Sequence, residues 1–246
     1  MEADAPDRRF AEDYRLAREI PRDGLTAWRA AVAAEVELVP GAVVLDIGAG
    51  TGAFSAAFAD WFGVRVLAVE PSGAMRALIS RTADIEALEG RAEALPVPDA
   101  CADAAWLGSV VHHISDLPAA AREIRRALKP GAPVLIRNSF PGRCTRDLRV
   151  RFFPGAARIV DGYPTVEETC AAFGAAGFTR VALHAVPQES APNLGDFADR
   201  IRRDTDAKLR GLTDEEFESG MRRLRRAAAQ EPDRPAVSWM DLLVLA

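Results

Sequence analysis

Uninterrupted apolar runs recur through the first 140 residues, and between them apolar positions space out as on one face of a helix. Val43-Val44-Leu45 and Val66-Leu67-Ala68-Val69 lack the in-out alternation of a half-exposed sheet. Such runs mark strands covered on both faces, as in a parallel sheet. The pattern predicts strands near 42–47, 65–70, 84–89, 103–109 and 132–138. Helices are expected near 52–62, 73–82 and 116–128, the last stopped by Lys129-Pro130-Gly131. Two more, near 9–19 and 25–38, lead the chain, with Pro21 and Gly24 between them. Strand and helix in alternation imply an α/β fold: a doubly wound, mostly parallel sheet with right-handed crossovers and helices on both faces.

The last third departs from that rhythm. A helix near 165–176 and a strand near 178–186 are followed by a terminal strand near 237–245. Residues 187–236 between them are too many for a structureless loop, and their pattern predicts helices near 193–210 and 214–229. Thr213 is placed as an N-cap, with Glu216 three residues on completing a capping box. Arg222, Arg223, Arg225 and Arg226 read as a solvated face balanced by Glu215, Glu216 and Glu218. A second insertion, 141–164, is rich in Arg, Gly and Pro. Together the two insertions are expected to cap the carboxyl edge of the sheet, where an acceptor would bind.

With 246 residues, the chain suits one α/β domain spanning 1–246. It contains no apolar run near the ~18 residues needed to span a bilayer. Met1-Glu2-Ala3-Asp4 shows no apolar signal segment. A net charge of −5 gives no general attraction for nucleic acid. Cys101, Cys144 and Cys170 have no zinc spacing and suggest reduced thiols, hence a cytoplasmic setting.

The chemistry concentrates where the first strand ends, in Asp46-Ile47-Gly48-Ala49-Gly50-Thr51-Gly52. Open α/β sheets bind ligands at the carboxyl ends of their strands, and glycine lets backbone approach a ligand closely. Gly48-x-Gly50-x-x-Ala53 satisfies a loose dinucleotide pattern. Asp46 argues against it, because a carboxylate repels a diphosphate and attracts an ammonium. Gly52 adds a glycine that the pattern does not ask for. Glu70, at the end of the second strand, is placed to accept from ribose hydroxyls. That feature serves NAD and S-adenosylmethionine (SAM) alike and does not choose between them.

Val44 through Gly52, Val69-Glu70-Pro71-Ser72 and Ala92-Glu93-Ala94-Leu95-Pro96 resemble the class I SAM-dependent methyltransferases. So do Val110-Val111-His112-His113-Ile114 and Ala127-Leu128-Lys129-Pro130-Gly131, in the same order, so that the likeness covers roughly residues 8–140. The resemblance implies a seven-stranded sheet with an antiparallel last strand, a SAM-binding core over 41–140 and an N-terminal helical lid over 1–40. It implies SAM as cofactor and S-adenosylhomocysteine (SAH) as product. Gly48, Ala49, Gly50, Thr51 and Gly52 would hold the amino-acid portion, with Asp46 toward its ammonium. Glu70 would bind the ribose, Pro71, Ser72 and Met75 the purine, and Ala92 and Glu93 its edge. Arg91 stands where a common family version has Asp, which removes a side-chain contact to the adenine amine. Leu107, Gly108 and Ser109 would face the sulfonium. Tyr14 and Arg18 resemble a segment that closes over SAM, Arg18 toward the methionine carboxylate.

Methyl transfer from a sulfonium needs mainly positioning and desolvation. An acceptor hydroxyl also needs a base, and histidine is suited to neutral pH. Of His112, His113 and His184, His113 is the candidate base, just past the fourth strand; His184 reads as structural. The expected partner is a small-molecule acceptor, with no nucleic acid or membrane, for a monomer or homodimer. The rival readings are a non-catalytic SAM-binding or interaction protein and a NAD-dependent oxidoreductase.

Overall fold

A computed structural model describes residues 5–18 and 22–246. Its strands are β1 (Val43–Ile47), β2 (Arg65–Val69), β3 (Ile85–Leu88), β4 (Ala104–Gly108), β5 (Val134–Asn138), β6 (Arg180–Ala191) and β7 (Ala236–Leu245). They form one sheet in the order β3-β2-β1-β4-β5-β7-β6. β1 to β5 pair in parallel, and β7 runs antiparallel between β5 and β6. The expected seven-stranded, mostly parallel sheet is therefore present. Strand order reverses between β1 and β4, and the crevice at such a switch point is where an open sheet receives a ligand.

Both faces are covered, which explains the continuous apolar runs. On one face Leu45, Ile47, Leu107 and Ile136 pack against α5 (Leu117–Ala127) and α8 (Val166–Gly174). On the other, Val44, Trp106 and Leu135 pack against α2 (Thr26–Glu35) and α3 (Ala53–Phe62), with Trp28 and Phe58 fully buried. The leading helix α1 (Ala5–Arg18) packs on α4 (Gly73–Arg76).

That fourth helix is shorter than the 73–82 expected. Leu78 N donates to Met75 O and Ile79 N to Arg76 O, so the chain tightens into three-residue turns. The tighter winding turns Ile79 into the core beneath Gly52.

The two insertions build a third apolar core of their own. The first contributes α6 (Leu148–Phe152) and α7 (Ala156–Val160); the second contributes α9 (Leu194–Arg200), α10 (Ala207–Arg210) and α11 (Asp214–Gln230). Phe152, Phe153, Val160, Phe197, Leu209 and Leu224 meet there. Thr213 and Glu216 do form the capping box that starts α11. The single helix expected over 193–210 is instead broken, because Ile201 takes an extended backbone and Asp206 recaps the chain by accepting from Lys208 N. No helix among the described residues is long and apolar enough to cross a membrane.

Gly220 sits inside α11, where helix propensity alone would favour alanine by ~1 kcal/mol. A Cβ there would collide with the Phe153 ring, however. Overpacking of that kind costs about 1–3 kcal/mol, so Gly220→Ala is expected to lower the midpoint of thermal unfolding despite its better propensity. An unchanged or raised midpoint would show that the ring moves aside freely.

Candidate functional site

The turn leaving β1 folds back on the end of β2. Val69 O accepts from Gly48 N at 2.8 Å and from Ala49 N at 3.1 Å. The Glu70 carboxylate accepts from Gly50 N at 2.8 Å and from Ser72 N at 2.9 Å, so one acid ties the two strand-end loops together. Ser72 in turn caps α4 by accepting from Met75 N.

Gly48, Gly50 and Gly52 all have left-handed backbone, with φ of 68°, 57° and 81°. The reasons differ, and for Gly52 they correct the expectation of ligand approach. A Cβ on Gly48 would clash with Val110, and one on Gly52 would lie 3.0 Å from Ile79 Cγ2. A Cβ on Gly50 would meet no protein atom within 4 Å. Gly50 thus opens onto free space instead of protein, and Gly52 does not border the cleft.

The cleft opens at the β1/β4 reversal, bordered by Tyr14, Gly48, Ala49, Gly50, Thr51, Gly108 and Ser109 among the expected residues. Leu107 is excluded from it. Successive strand residues face opposite sides, and Leu107 lies fully buried in the core under α5. Glu70, Pro71, Ser72 and Met75 follow β2, and Ala92 and Glu93 follow β3, all beside the main cleft rather than on its border. The side chain of Arg18 lies outside the described residues.

Two acids are engaged by the protein itself. Asp46 is 2% exposed and accepts from Ser55 Oγ of α3 at 2.5 Å, so it makes no direct contact with the cleft. Burial pushes its pKa up to about 7; the Ser55 hydrogen bond opposes the rise and the nearby Glu70 charge adds to it. Glu93 accepts from Ser115 N at 3.1 Å and Ser115 Oγ at 2.9 Å, pinning the turn before α5. Partial burial works against its charge, yet these hydrogen bonds hold its pKa below the usual carboxylate range.

The two neighbouring histidines differ in setting. His113 is exposed, whereas His112 borders a small cavity with Ser109, Ser139, Lys208 and Met240. The His112 ring stacks on Tyr163 at 4.0 Å, and its Nδ1 lies 3.3 Å from Asn138 Oδ1. The reason is local. Val111–His113 is a 3-10 turn, and successive residues on it diverge by about 120°. With Val111 in the core, His112 borders the cavity, and the exposed His113 ring packs against the His112 ring at 4.1 Å. His184 Nε2 meets Glu35 Oε1 at 2.7 Å and joins β6 to α2.

Several residues at the cleft were not expected. Arg137 is 7% exposed at the end of β5; its Nη1 donates to Ser109 Oγ and its Nη2 to Gln188 Oε1, each at 2.6 Å. An arginine closing the apolar run Val134-Leu135-Ile136 was the signal available for it. Lys208 pairs with Asp147 and donates to Ser139 Oγ at 2.7 Å, and Arg149 pairs with Asp206. These buried pairs join the two insertions, and nothing in either segment alone marks them. Burial opposes charge on Asp147, but Lys208 and Arg149 pull its pKa below the usual range. Burial pushes the Lys208 ammonium down, with Asp147 resisting.

Comparison with known proteins adds a family to this geometry. Residues 45–136 match the family model described as Methyltransferase domain. The chain is 33% identical over 144 residues to the ubiquinone/menaquinone biosynthesis C-methyltransferase UbiE of Caulobacter sp. strain K31, covering 52% of this chain and 56% of that protein. It is 39% identical over 97 residues to the malonyl-[acyl-carrier protein] O-methyltransferase of Serratia marcescens, covering 39% of this chain and 38% of that one. The chain thus spans about half the length, or less, of the curated relatives it matches. In fold it is similar to a crystal structure assigned as a methyltransferase of an antibiotic biosynthesis pathway in Anabaena variabilis. That likeness has a TM-score of 0.71 at 20% identity, covering 89% of this chain and 96% of the other.

The buried acid has a measurable consequence. With a folded pKa of about 7 against an ordinary 3.8, native Asp46 keeps a proton that the unfolded chain releases between those values. The native state then binds more protons than the unfolded one, so stability falls as pH rises through that window. Asp46→Asn is expected to flatten this slope between pH 5 and pH 8 in urea titrations. Equal slopes for the two proteins would place the titration elsewhere.

Proposed function

Because the chain carries a class I SAM-dependent methyltransferase domain, we propose that it transfers the methyl group of SAM to a small-molecule acceptor and releases SAH. The observation that carries this reading is the cleft at the β1/β4 reversal, with the Glu70-braced glycine turn on one side and the charged cap on the other. The residues present suit such a cofactor: the open space at Gly50 accepts a ligand against bare backbone.

Gly48, Ala49, Gly50 and Thr51 are assigned to the amino-acid portion. Glu70, whose oxygens each accept one backbone N–H, keeps lone pairs for the ribose hydroxyls. Pro71, Ser72 and Met75 are assigned to the purine, the Ala92–Glu93 backbone to its edge, and Gly108 and Ser109 to the sulfonium end. Bound SAM supplies an activated methyl group. The chain supplies orientation and shelter from water, with Tyr14 of α1 closing one side. Where the acceptor must lose a proton, His112 takes it. Asn138 Oδ1 accepting from Nδ1–H would leave Nε2 as the basic nitrogen. The relatives' names cover transfer to carbon and to oxygen, so the acceptor atom is left to experiment. The thiols of Cys101, Cys144 and Cys170, free of disulfides, accord with a cytoplasmic setting.

Glu70→Ala is expected to weaken SAH binding in calorimetry by about 2 kcal/mol, roughly thirtyfold, through lost ribose contacts and a loosened turn. Unchanged affinity contradicts the assignment, and tighter binding of NAD than of SAH contradicts the cofactor. Mass spectrometry after incubation with labelled SAM and an extract of the source cells should reveal one compound gaining a methyl group. With that acceptor, His112→Asn is expected to lower kcat by about a hundredfold or more. His113→Asn should leave it near wild type; the reverse ranking would restore His113 as the base.

A further inference from the structure

We infer that the acceptor carries a carboxylate, and that this group is held over Gly108 by Arg137, Ser109 and Trp106. The inference rests on the methyl-transfer reading and names the class of acceptor for the same cleft.

The three side chains converge because of the sheet register. Gly108 on β4 and Arg137 on β5 are direct partners, and Trp106, two residues before Gly108, shares their face. Trp106 is fully buried, yet its indole Nε1 has no hydrogen-bond partner among the described residues. Buried donors are normally satisfied, so an exception asks for a ligand atom or an explanation. A Cβ on Gly108 would lie 2.8 Å from that nitrogen, and the nearest protein atoms to the point all belong to the same indole. Any side chain at 108, on the border of the cleft, would press against this N–H.

Ser109 adds a second donor. Its Oγ accepts from Arg137 at 2.6 Å, which directs its own proton to another acceptor. It holds left-handed backbone at φ 61°, a conformation that non-glycine residues seldom keep without a functional reason. Arg137 is fixed in direction by Gln188 Oε1, which also accepts from Trp28 Nε1 at 3.1 Å, and by the Trp28 and Phe54 rings beneath it. A planar guanidinium held in this way suits the planar, two-oxygen geometry of a carboxylate.

Arg137, Arg149, Arg200 and Lys208 border the cleft, and Asp147 is the one acid among its described lining residues. Two of these cations are engaged with acids, Lys208 with Asp147 and Arg149 with Asp206. Arg149, Arg200 and Lys208 come from the cap and not from the glycine turn. Arg137 stands on β5, two strands from the turn after β1, and that placement favours the acceptor over the cofactor's own amino-acid tail as the source of the anion.

The test uses SAH-saturated protein titrated calorimetrically with benzoate and with benzamide, its uncharged counterpart of similar shape. Benzoate is expected to bind at least tenfold more tightly. Arg137→Gln should abolish the preference, Arg137→Lys should keep part of it, and Trp106→Phe, which keeps a ring but loses the N–H, should reduce it. SAH affinity should stay within threefold in all three variants. Thermal unfolding reports whether each is folded, and Trp106→Phe and Arg137→Lys carry the test if Arg137→Gln is not. Equal affinity of the wild type for benzoate and benzamide overturns the inference. So does a tenfold loss of SAH affinity in folded Arg137→Gln, which would give the anion site to the cofactor tail, or tighter binding of phenyl phosphate than of benzoate. If the wild type binds no SAH, it is the methyl-transfer reading that fails, and the same titration without SAH still decides whether the site prefers a carboxylate.

Discussion

The backbone of Gly48 lies so close to Val110 that a single methyl group at position 48 would collide with it. This contact sets the turn after β1 against the turn after β4 at the point where strand order reverses. Three hydrogen bonds hold the same turn from its other side: Gly48 N and Ala49 N donate to Val69 O, and Gly50 N donates to the Glu70 carboxylate. Between these restraints Gly50 is left with open space beside it. The cleft is therefore a product of packing elsewhere. Gly48 and Gly52 are required by protein contacts, while Gly50 has open space beside it.

The acids near that turn divide by environment. Glu70 keeps backbone donors around its carboxylate and braces the loops, whereas Asp46 is enclosed with one hydroxyl partner and shifts toward neutrality. Without strong partners, desolvation disfavours the charged form.

The cap has its own apolar core, yet its junction with the sheet is built from charges. Asp147 with Lys208 and Asp206 with Arg149 are buried pairs that cross between two insertions far apart in sequence. Such pairs contribute little net stability, since desolvation offsets much of their attraction, but separating one is costly. Their effect is to specify one arrangement of the cap over the cleft. They also place Arg149 and Lys208 on its border.

Much of this protein was legible from residue order because strand burial and helix capping are local. The continuous runs at β1 and β2, the glycine turn, the acid ending β2 and the Thr213–Glu216 box are each written within a few residues, and each is where the pattern predicted. What the order of residues could not convey was direction and company. Whether His112 or His113 faces the cavity depends on the rotation of one 3-10 turn held by Val111 in the core. Whether Leu107 or Gly108 meets the cleft depends on which face of β4 the helices cover. Arg137 gains its position only from Gln188 and Ser109 on neighbouring elements, and Lys208 from Asp147 across the cap. Periodicity determines which elements form and where their ends lie. Packing between elements decides which side chains meet, because burial and charge pairing are settled by neighbours in space.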